Sequence, residues 1–118
     1  MRILLSVLAV ASLVGCATPA TISDIPLERH DENTRYGVEQ RSNGFGISVA
    51  YSRYQFIPES DAVATACKQA LTSLAWDYAD SVGREIEPIN EQRIRISMGR
   101  NGFTGITSCR AYAVASWE

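Results

Sequence analysis

Apolar residues in the middle of the chain recur at every second position. The alternating residues are Phe45, Ile47, Val49 and Tyr51. Small residues separate them, and this period of two predicts a strand with one buried face. The apolar positions change parity at Tyr54, so we expect a β-bulge near Ser52-Arg53. The alternative is a strand end that is covered on both sides.

The pattern then changes to a helical period. Pro58-Glu59-Ser60-Asp61 predicts the helix start, with a Ser or Asp side chain accepting from the first free amides. The predicted helix runs to about Val82, and Gly83 supplies a left-handed stop. Its buried stripe is Val63, Cys67, Ala70, Leu71, Leu74 and Tyr78. The period of this stripe predicts one face packed on a sheet.

Alternation returns near the C-terminus on both sides of Asn101-Gly102, a dipeptide typical of a two-residue hairpin turn. Such a turn places Ile94 opposite Cys109 and Ile96 opposite Thr107. The last strand carries three alanines, whose small side chains let a helix lie close to the sheet. The fold class is therefore α+β, in the order β-α-β-β. We expect a three-stranded antiparallel sheet in the order 1-3-2 with one helix on one face, and the runner-up places strand 1 beside strand 2.

The N-terminus has the layout of an export signal. A basic residue, Arg2, precedes twelve mostly apolar residues, a run shorter than the roughly 20 that a membrane-spanning helix needs. Leu13-Val14-Gly15-Cys16 closes the run and resembles the lipobox of bacterial lipoproteins. That resemblance implies cleavage before Cys16 after its sulfur has received a diacylglycerol, and Ala17 at the next position implies delivery to the outer membrane. The alternative is an ordinary secretory signal cut after Ala17.

These segments divide the chain into three parts. Residues 1–15 are predicted to be the signal peptide, 16–42 the lipidated Cys16 with a flexible tether, and 43–118 the α+β domain. The tether prediction rests on sparse apolar residues without a sustained period and on two prolines. A flexible chain of this length would reach roughly 25 to 30 Å. In the alternative, the apolar residues of the segment pack on the domain; these are Ile22, Ile25 and Leu27.

Two of the three cysteines are predicted to form a disulfide. The predicted register brings Cys109 to the sheet face that the helix covers with Cys67. If Cys16 is lipidated, an even pair remains, and an oxidising periplasm favours a disulfide between them. Closing a loop of this length contributes roughly 4 kcal/mol in the chain-entropy model. The alternative is two buried free thiols.

Composition and candidate chemistry argue against an enzyme. The 118 residues carry 11 Lys+Arg and 13 Asp+Glu, which does not fit a strongly basic nucleic-acid binder. The single histidine, His30, lies in the predicted tether, and a serine nucleophile would otherwise depend on Lys68, the only lysine. The acidic pairs Glu59/Asp61 and Glu85/Glu87 flank the helix, where capping or solvation explains them. We therefore predict no catalytic residue, no cofactor and no metal site.

The predicted sheet face opposite the helix is the candidate partner surface. The expected register places Arg93 beside Arg110 and brings Arg95 and Tyr112 to the same face; Arg53 joins them if it points outward near the bulge. Arginine offers a planar fork of donors, which suits an anionic or aromatic-rich partner. One alternative is a solvated face without a partner. In the other, the arginines pair with acidic residues of the tether. Trp76 lies on the helix away from the apolar stripe. It is expected either to contact a partner or to be the site on which the tether packs.

Three functional interpretations follow. The favoured one is a non-catalytic, periplasm-facing outer-membrane lipoprotein that serves as a binding or structural module for an envelope protein or for cell-wall material. The second is an inhibitor or sensor lipoprotein that binds a soluble periplasmic protein. The third is a hydrolase or redox enzyme. The sequence does not define the oligomeric state.

Overall fold

A five-stranded antiparallel sheet carries one long helix on one of its faces. The computed structural model describes residues 22–55 and 59–118. The strands are β1 (Glu28–Arg29), β2 (Thr34–Arg41), β3 (Gly44–Tyr54), β4 (Arg95–Asn101) and β5 (Ile106–Ser116). The helix α1 spans Ser60–Ser81, and a 3₁₀ turn spans Glu91–Arg93. The strand order is β1-β2-β3-β5-β4, so the α+β class is confirmed.

The sheet has five strands instead of the three that the sequence predicts. The three predicted strands are β3, β4 and β5, and β5 lies between the other two, as expected. The two additional strands, β1 and β2, come from the segment predicted to be a tether. A tight turn at Ser42-Asn43 pairs Arg41 with Gly44 and folds β2 back along β3. This segment therefore completes the sheet and is not a free tether over the residues of β1 and β2.

The β4-β5 hairpin has a longer loop than predicted. Asn101 pairs with Ile106, so four residues separate the strands. The Asn101 side chain accepts from the backbone N–H of Phe103 at 2.9 Å, and Gly105 takes a positive φ of 71°. The longer loop moves the register by four residues and places Met98 opposite Cys109. Because four is an even number, every side chain keeps its predicted face.

The predicted bulge near Ser52-Arg53 is absent. β3 pairs with β5 without interruption, from Gly44 opposite Ser116 to Tyr54 opposite Ile106. Tyr54 follows the regular alternation onto the face away from α1, and 63% of its surface is exposed. The parity change in the sequence therefore marks an exposed aromatic residue at the strand end. The end of this strand is therefore not covered on both sides.

The helix begins and ends close to the predicted positions, although its N-terminal cap differs. Glu59 is the N-cap residue and its side chain makes no capping hydrogen bond. The buried Gln55 side chain instead accepts from the Glu59 N–H and donates to the Glu59 carbonyl, at 3.1 and 3.2 Å. At the other end Gly83 has a φ of 69°, and the N–H of Arg84 bonds to the carbonyl of Ala79. The predicted glycine stop is confirmed.

The core lies between α1 and the sheet. Its largest fully buried side chains include Phe45, Ile47 and Leu71. Cys67 of α1 is bonded to Cys109 of β5, with a Cα–Cα distance of 6.3 Å, so the predicted disulfide is confirmed. The alanines of β5 are buried and allow α1 to approach closely. Among the described residues, no helix has the length and apolarity that crossing a membrane requires.

Candidate functional site

The sheet face that points away from α1, called the open face here, carries most of the candidate chemistry. The odd-numbered residues of β3 point to α1, so the even-numbered ones and their cross-strand partners lie on the open face. The register assigns five strand arginines to it: Arg29, Arg35, Arg41, Arg95 and Arg110. Three of them come from β1 and β2. The open face is therefore richer in arginine than the sequence indicated.

The floor of the open face is made of small residues. β3 contributes Gly46, Ser48 and Ala50. A side chain at Gly46 would meet the Tyr112 hydroxyl at 3.0 Å, so Tyr112 lies flat across this position. Ser48 is only 2% exposed although it points away from α1. Another part of the chain must therefore cover the middle of this face.

That cover is residues 22–27, called the strap here. Gly37 pairs with Ser48, and a Cβ on Gly37 would collide with the carbonyl oxygen of Pro26 and would lie 2.8 Å from Cγ2 of Ile25. The strap therefore crosses the open face in contact with β2. All three of its apolar residues, Ile22, Ile25 and Leu27, are half-buried. This is the packed alternative that the sequence left open.

The strap separates two grooves. The Arg93 groove, of about 830 Å³, is lined by Ile22 of the strap, by Arg41, Arg93 and Arg95, and by Tyr112 and Val114. Two carboxylates, Asp24 and Glu39, also line it. Within this groove the Arg41 guanidinium donates a hydrogen bond of 3.2 Å to the Tyr112 hydroxyl. Arg93 reaches the groove from the 3₁₀ turn that precedes β4.

The Arg110 groove lies on the other side of the strap and measures about 890 Å³. Arg29, Arg35 and Arg110 supply its cations, and Asp31 and Glu32 lie among its lining residues. The backbone N–H of Asn33 donates to the Asp31 carboxylate at 2.8 Å, which lowers the pKa of Asp31. Asp31 therefore stays ionised beside these arginines. Asp24 of the strap lines this groove too, so three carboxylates accompany its three arginines, against two carboxylates and three arginines in the Arg93 groove.

The longer hairpin loop changes which predicted site residues meet. Arg110 pairs with Ser97 on one side and with Ala50 on the other, so it does not lie beside Arg93. Arg95 pairs with Tyr112, and both remain on the open face as expected. The like-charge pair that the sequence suggested is therefore wrong. Its two arginines belong to different grooves.

Two further predicted positions lie away from the open face. Arg53 pairs with Thr107 and shares the parity of the buried face, because β3 has no bulge. Trp76 is 37% exposed on α1, on the opposite side of the sheet from the strap. The strap therefore does not pack on Trp76. Arg29, Arg35 and Arg41 were missed. The weak alternation from Thr34 to Gln40 is a signal for Arg35 and Arg41 in β2, but it does not reach Arg29 in β1.

The remaining titratable groups do not converge on either groove. His30 is exposed between β1 and β2, and its ring centroid lies 5.6 Å from that of Tyr36 in an edge-to-face arrangement. A hydrogen bond shared with Glu85, together with repulsion from that carboxylate, raises the pKa of Glu118. Over residues 22–55 and 59–118, no group of three or more His, Cys, Asp or Glu side chains is placed to hold a metal ion. Cys16 and the signal segment lie outside these residues.

No family model matches the sequence, and no match was found among curated proteins or solved structures.

Proposed function

We propose that this protein is a non-catalytic binding module of the bacterial envelope, anchored in the outer membrane through a lipid on Cys16 and facing the periplasm. In this proposal the open face binds an anionic envelope component. The observation that carries the proposal is the convergence of five strand arginines and Arg93 on one face of the sheet. The resemblance of residues 13–16 to a lipobox supports the anchor.

The chemistry of the two grooves supports binding. A guanidinium presents several N–H donors in one plane and pairs with phosphate or carboxylate through two parallel hydrogen bonds. The small residues of the floor leave space beside the arginines that line both grooves, where a ligand would meet them. The Arg93 groove also contains a phenol, Tyr112, which offers both a donor and an acceptor. The described lining of both grooves includes neither histidine nor lysine as a general base.

The distribution of charge supports the same surface. The chain as a whole is acidic, with a net charge of −2. The Arg93 groove has three arginines against two carboxylates, so it is locally basic. The exposed side of α1 carries Asp61, Asp77 and Asp80. An anionic partner is therefore attracted to the open face and repelled from the helix.

The first test addresses the anchor. Intact mass of the detergent-extracted protein is expected to show an acylated Cys16 as the first residue and a two-hydrogen deficit from the disulfide. The Cys16→Ser variant is expected to lose the acyl mass and to leave the membrane fraction. An unmodified N-terminus that begins after Ala17 would overturn the anchor.

The second test addresses the open face. A photo-crosslinking amino acid in place of Val114, which is 48% exposed, is expected to capture the anionic component in intact envelopes. The Arg95→Gln/Arg110→Gln variant should reduce the yield several-fold, because one cation is lost from each groove. The control is Arg53→Gln/Lys68→Gln, which removes the same charge elsewhere. Equal yields from both double variants would contradict binding by the open face.

A further inference from the structure

We propose that the anionic component is the phosphate surface of the bilayer that holds the anchor, and that the domain lies on this bilayer with the Arg93 groove against the lipid headgroups. This inference rests on the proposed lipid anchor at Cys16. It goes further than the proposed function because it names the ligand chemistry and fixes the orientation of the domain.

The first argument is the length of chain between the lipid and the groove. Ile22 lines the Arg93 groove and is absent from the lining of the Arg110 groove. Six residue steps separate Cys16 from Ile22, and a fully extended chain spans at most about 3.5 Å per residue. The end of the groove at Ile22 therefore has its Cα atom within about 21 Å of the Cα atom of the lipidated Cys16 in any conformation of the intervening residues.

This short distance places the domain nearer to the membrane than the tether predicted from the sequence would. A flexible tether over residues 16–42 would hold the domain clear of the headgroups. Because the strap and β2 belong to the folded domain, most of that reach is lost. The face that the strap crosses is the face from which the chain leaves toward the lipid. The open face therefore starts close to the bilayer.

The second argument is the composition of the groove. Arg41, Arg93 and Arg95 are all exposed at its rim, and Val114 stands among them with 48% of its surface exposed. Guanidinium groups pair with phosphate oxygens, while an apolar side chain gains by entering the boundary between headgroups and acyl chains. Ile22, half-buried beside them, adds a second apolar side chain. This mixture fits a lipid surface.

The third argument is the negative charge on the opposite side of the molecule. α1 presents Asp61, Asp77 and Asp80 to solvent on the far face of the sheet. An anionic bilayer repels these carboxylates and attracts the arginines, and at short range both forces turn the domain the same way. Trp76, on the same side as the carboxylates, would then face the periplasm.

The test uses the full acylated protein in vesicles that contain a lipid with a nickel-chelating headgroup. One set of vesicles contains phosphatidylglycerol mixed with phosphatidylcholine, and the other contains phosphatidylcholine without phosphatidylglycerol. A nitroxide spin label is attached through Val114→Cys in the groove or through Asp77→Cys on α1. In phosphatidylglycerol vesicles, nickel is expected to relax the label at position 114 several-fold more than the label at position 77. The difference should shrink in phosphatidylcholine.

Charge variants sharpen the test. Arg93→Gln/Arg95→Gln is expected to remove most of the excess relaxation at position 114, and Arg53→Gln/Lys68→Gln should leave it unchanged. Because an added cysteine can disturb disulfide formation, amide hydrogen exchange of the unlabelled protein provides a second measurement. It should slow at Glu39, Arg41 and Arg95 when phosphatidylglycerol is present.

The outcomes separate this inference from the proposed function. An acylated protein with equal relaxation at both labels, or with exchange rates independent of lipid charge, overturns the docking and leaves the anchor intact. Capture of a protein through position 114 without headgroup contact also overturns it and assigns the groove to that protein. An unacylated N-terminus overturns the anchor itself.

Discussion

The two faces of the sheet are built from alternate residues of the same strands, yet they differ in almost every physical respect. In β3, Phe45, Ile47 and Val49 are fully buried beneath α1, while each is followed by a small residue, which is glycine, serine or alanine. The buried face is apolar and densely packed, and the open face combines small residues of β3 with arginines of the neighbouring strands. The contacts that stabilise the fold are concentrated on the buried face, so the open face can carry charged side chains.

The covers of the two faces differ as well. α1 has 22 residues, contributes a wide apolar stripe and is bonded covalently to β5. The strap is a short segment without regular secondary structure that fits closely at Gly37. Loss of the helix contacts should therefore unfold the domain. Loss of the strap contacts should open a surface and leave the rest folded.

The largest effect is expected from breaking the covalent link on the buried face. Cys67→Ala/Cys109→Ala releases a loop that spans 42 residue steps, and the chain-entropy model assigns about 4 kcal/mol to its closure. Urea denaturation monitored by circular dichroism should show this loss in the free energy of unfolding. Wild-type protein treated with reductant should approach the double variant. A change below about 1 kcal/mol would mean that the packed core alone defines the stability.

A core truncation is expected to come next. Leu71 is fully buried on α1, so Leu71→Ala should cost about 3 kcal/mol by removing apolar contacts and leaving a cavity. The matched truncation on the open face is Val114→Ala, at a residue that is 48% exposed. It should change the free energy of unfolding by less than about 0.5 kcal/mol. Similar losses from both variants would contradict the contrast between the faces.

A smaller effect is expected from disturbing the strap. The Cβ of a Gly37→Ala variant would collide with the Pro26 backbone, so the strap must shift. We expect faster amide exchange and faster proteolysis at residues 22–27, with a loss of about 1 kcal/mol in the free energy of unfolding. Ser97→Ala, on the same face in β4, serves as the control. Unchanged exchange at Ile25 in the Gly37 variant would show that the strap does not depend on this contact.

Removing one cation from the open face should leave stability almost unchanged. Arg95 is exposed, and Arg95→Gln is expected to alter the free energy of unfolding by less than about 0.5 kcal/mol. The same substitution should weaken binding to an anionic surface, measured by sedimentation with phosphatidylglycerol vesicles. A large loss of stability without a change in binding would make this arginine a structural residue.

The smallest effect concerns the acidic pair at the C-terminal end of the sheet. The pKa of Glu118 is raised by its hydrogen bond to, and repulsion from, Glu85. A raised pKa means that the folded state holds this proton more tightly, so the stabilising contribution is present at low pH and declines as pH rises through the folded-state pKa. Glu85→Gln should therefore flatten the dependence of Tm on pH in the acidic range. An unchanged profile would show that the two carboxylates do not interact in solution.

Much of the buried face could be predicted from the sequence, because its residues have strong periods. Alternation from Phe45 to Tyr51 defined β3, the stripe around Leu71 defined α1, and the small residues of β5 placed that strand in the centre. The disulfide prediction combined strand parity with the even pair of cysteines left after lipidation of Cys16 and with an oxidising compartment. The observed β4-β5 register differs from the predicted one by four residues, which leaves Cys109 on the side of the sheet that faces Cys67. The error in the predicted loop length therefore did not affect the predicted disulfide.

The open face was harder to predict, since it depends on contacts between segments distant in sequence. β2 was missed because Tyr36 and Val38 are its only strongly apolar residues, and the other side of the strand is charged or glycine. Without β2, the arginines of β1 and β2 could not be assigned to a face. The position of the strap depends on the close approach at Gly37, for which the local pattern gives no signal.

The central position of β5 has a consequence for the order in which the molecule can assemble. β5 is the last strand in the chain, yet it joins β3 to β4 and carries one half of the disulfide. A polypeptide that crosses a membrane with its N-terminus leading would deliver β1, β2, β3 and α1 before the strand that binds them together. Those elements have no complete sheet until Cys109 and its neighbours emerge. For a chain exported as we propose, vectorial delivery would therefore leave the sheet incomplete until translocation is nearly finished.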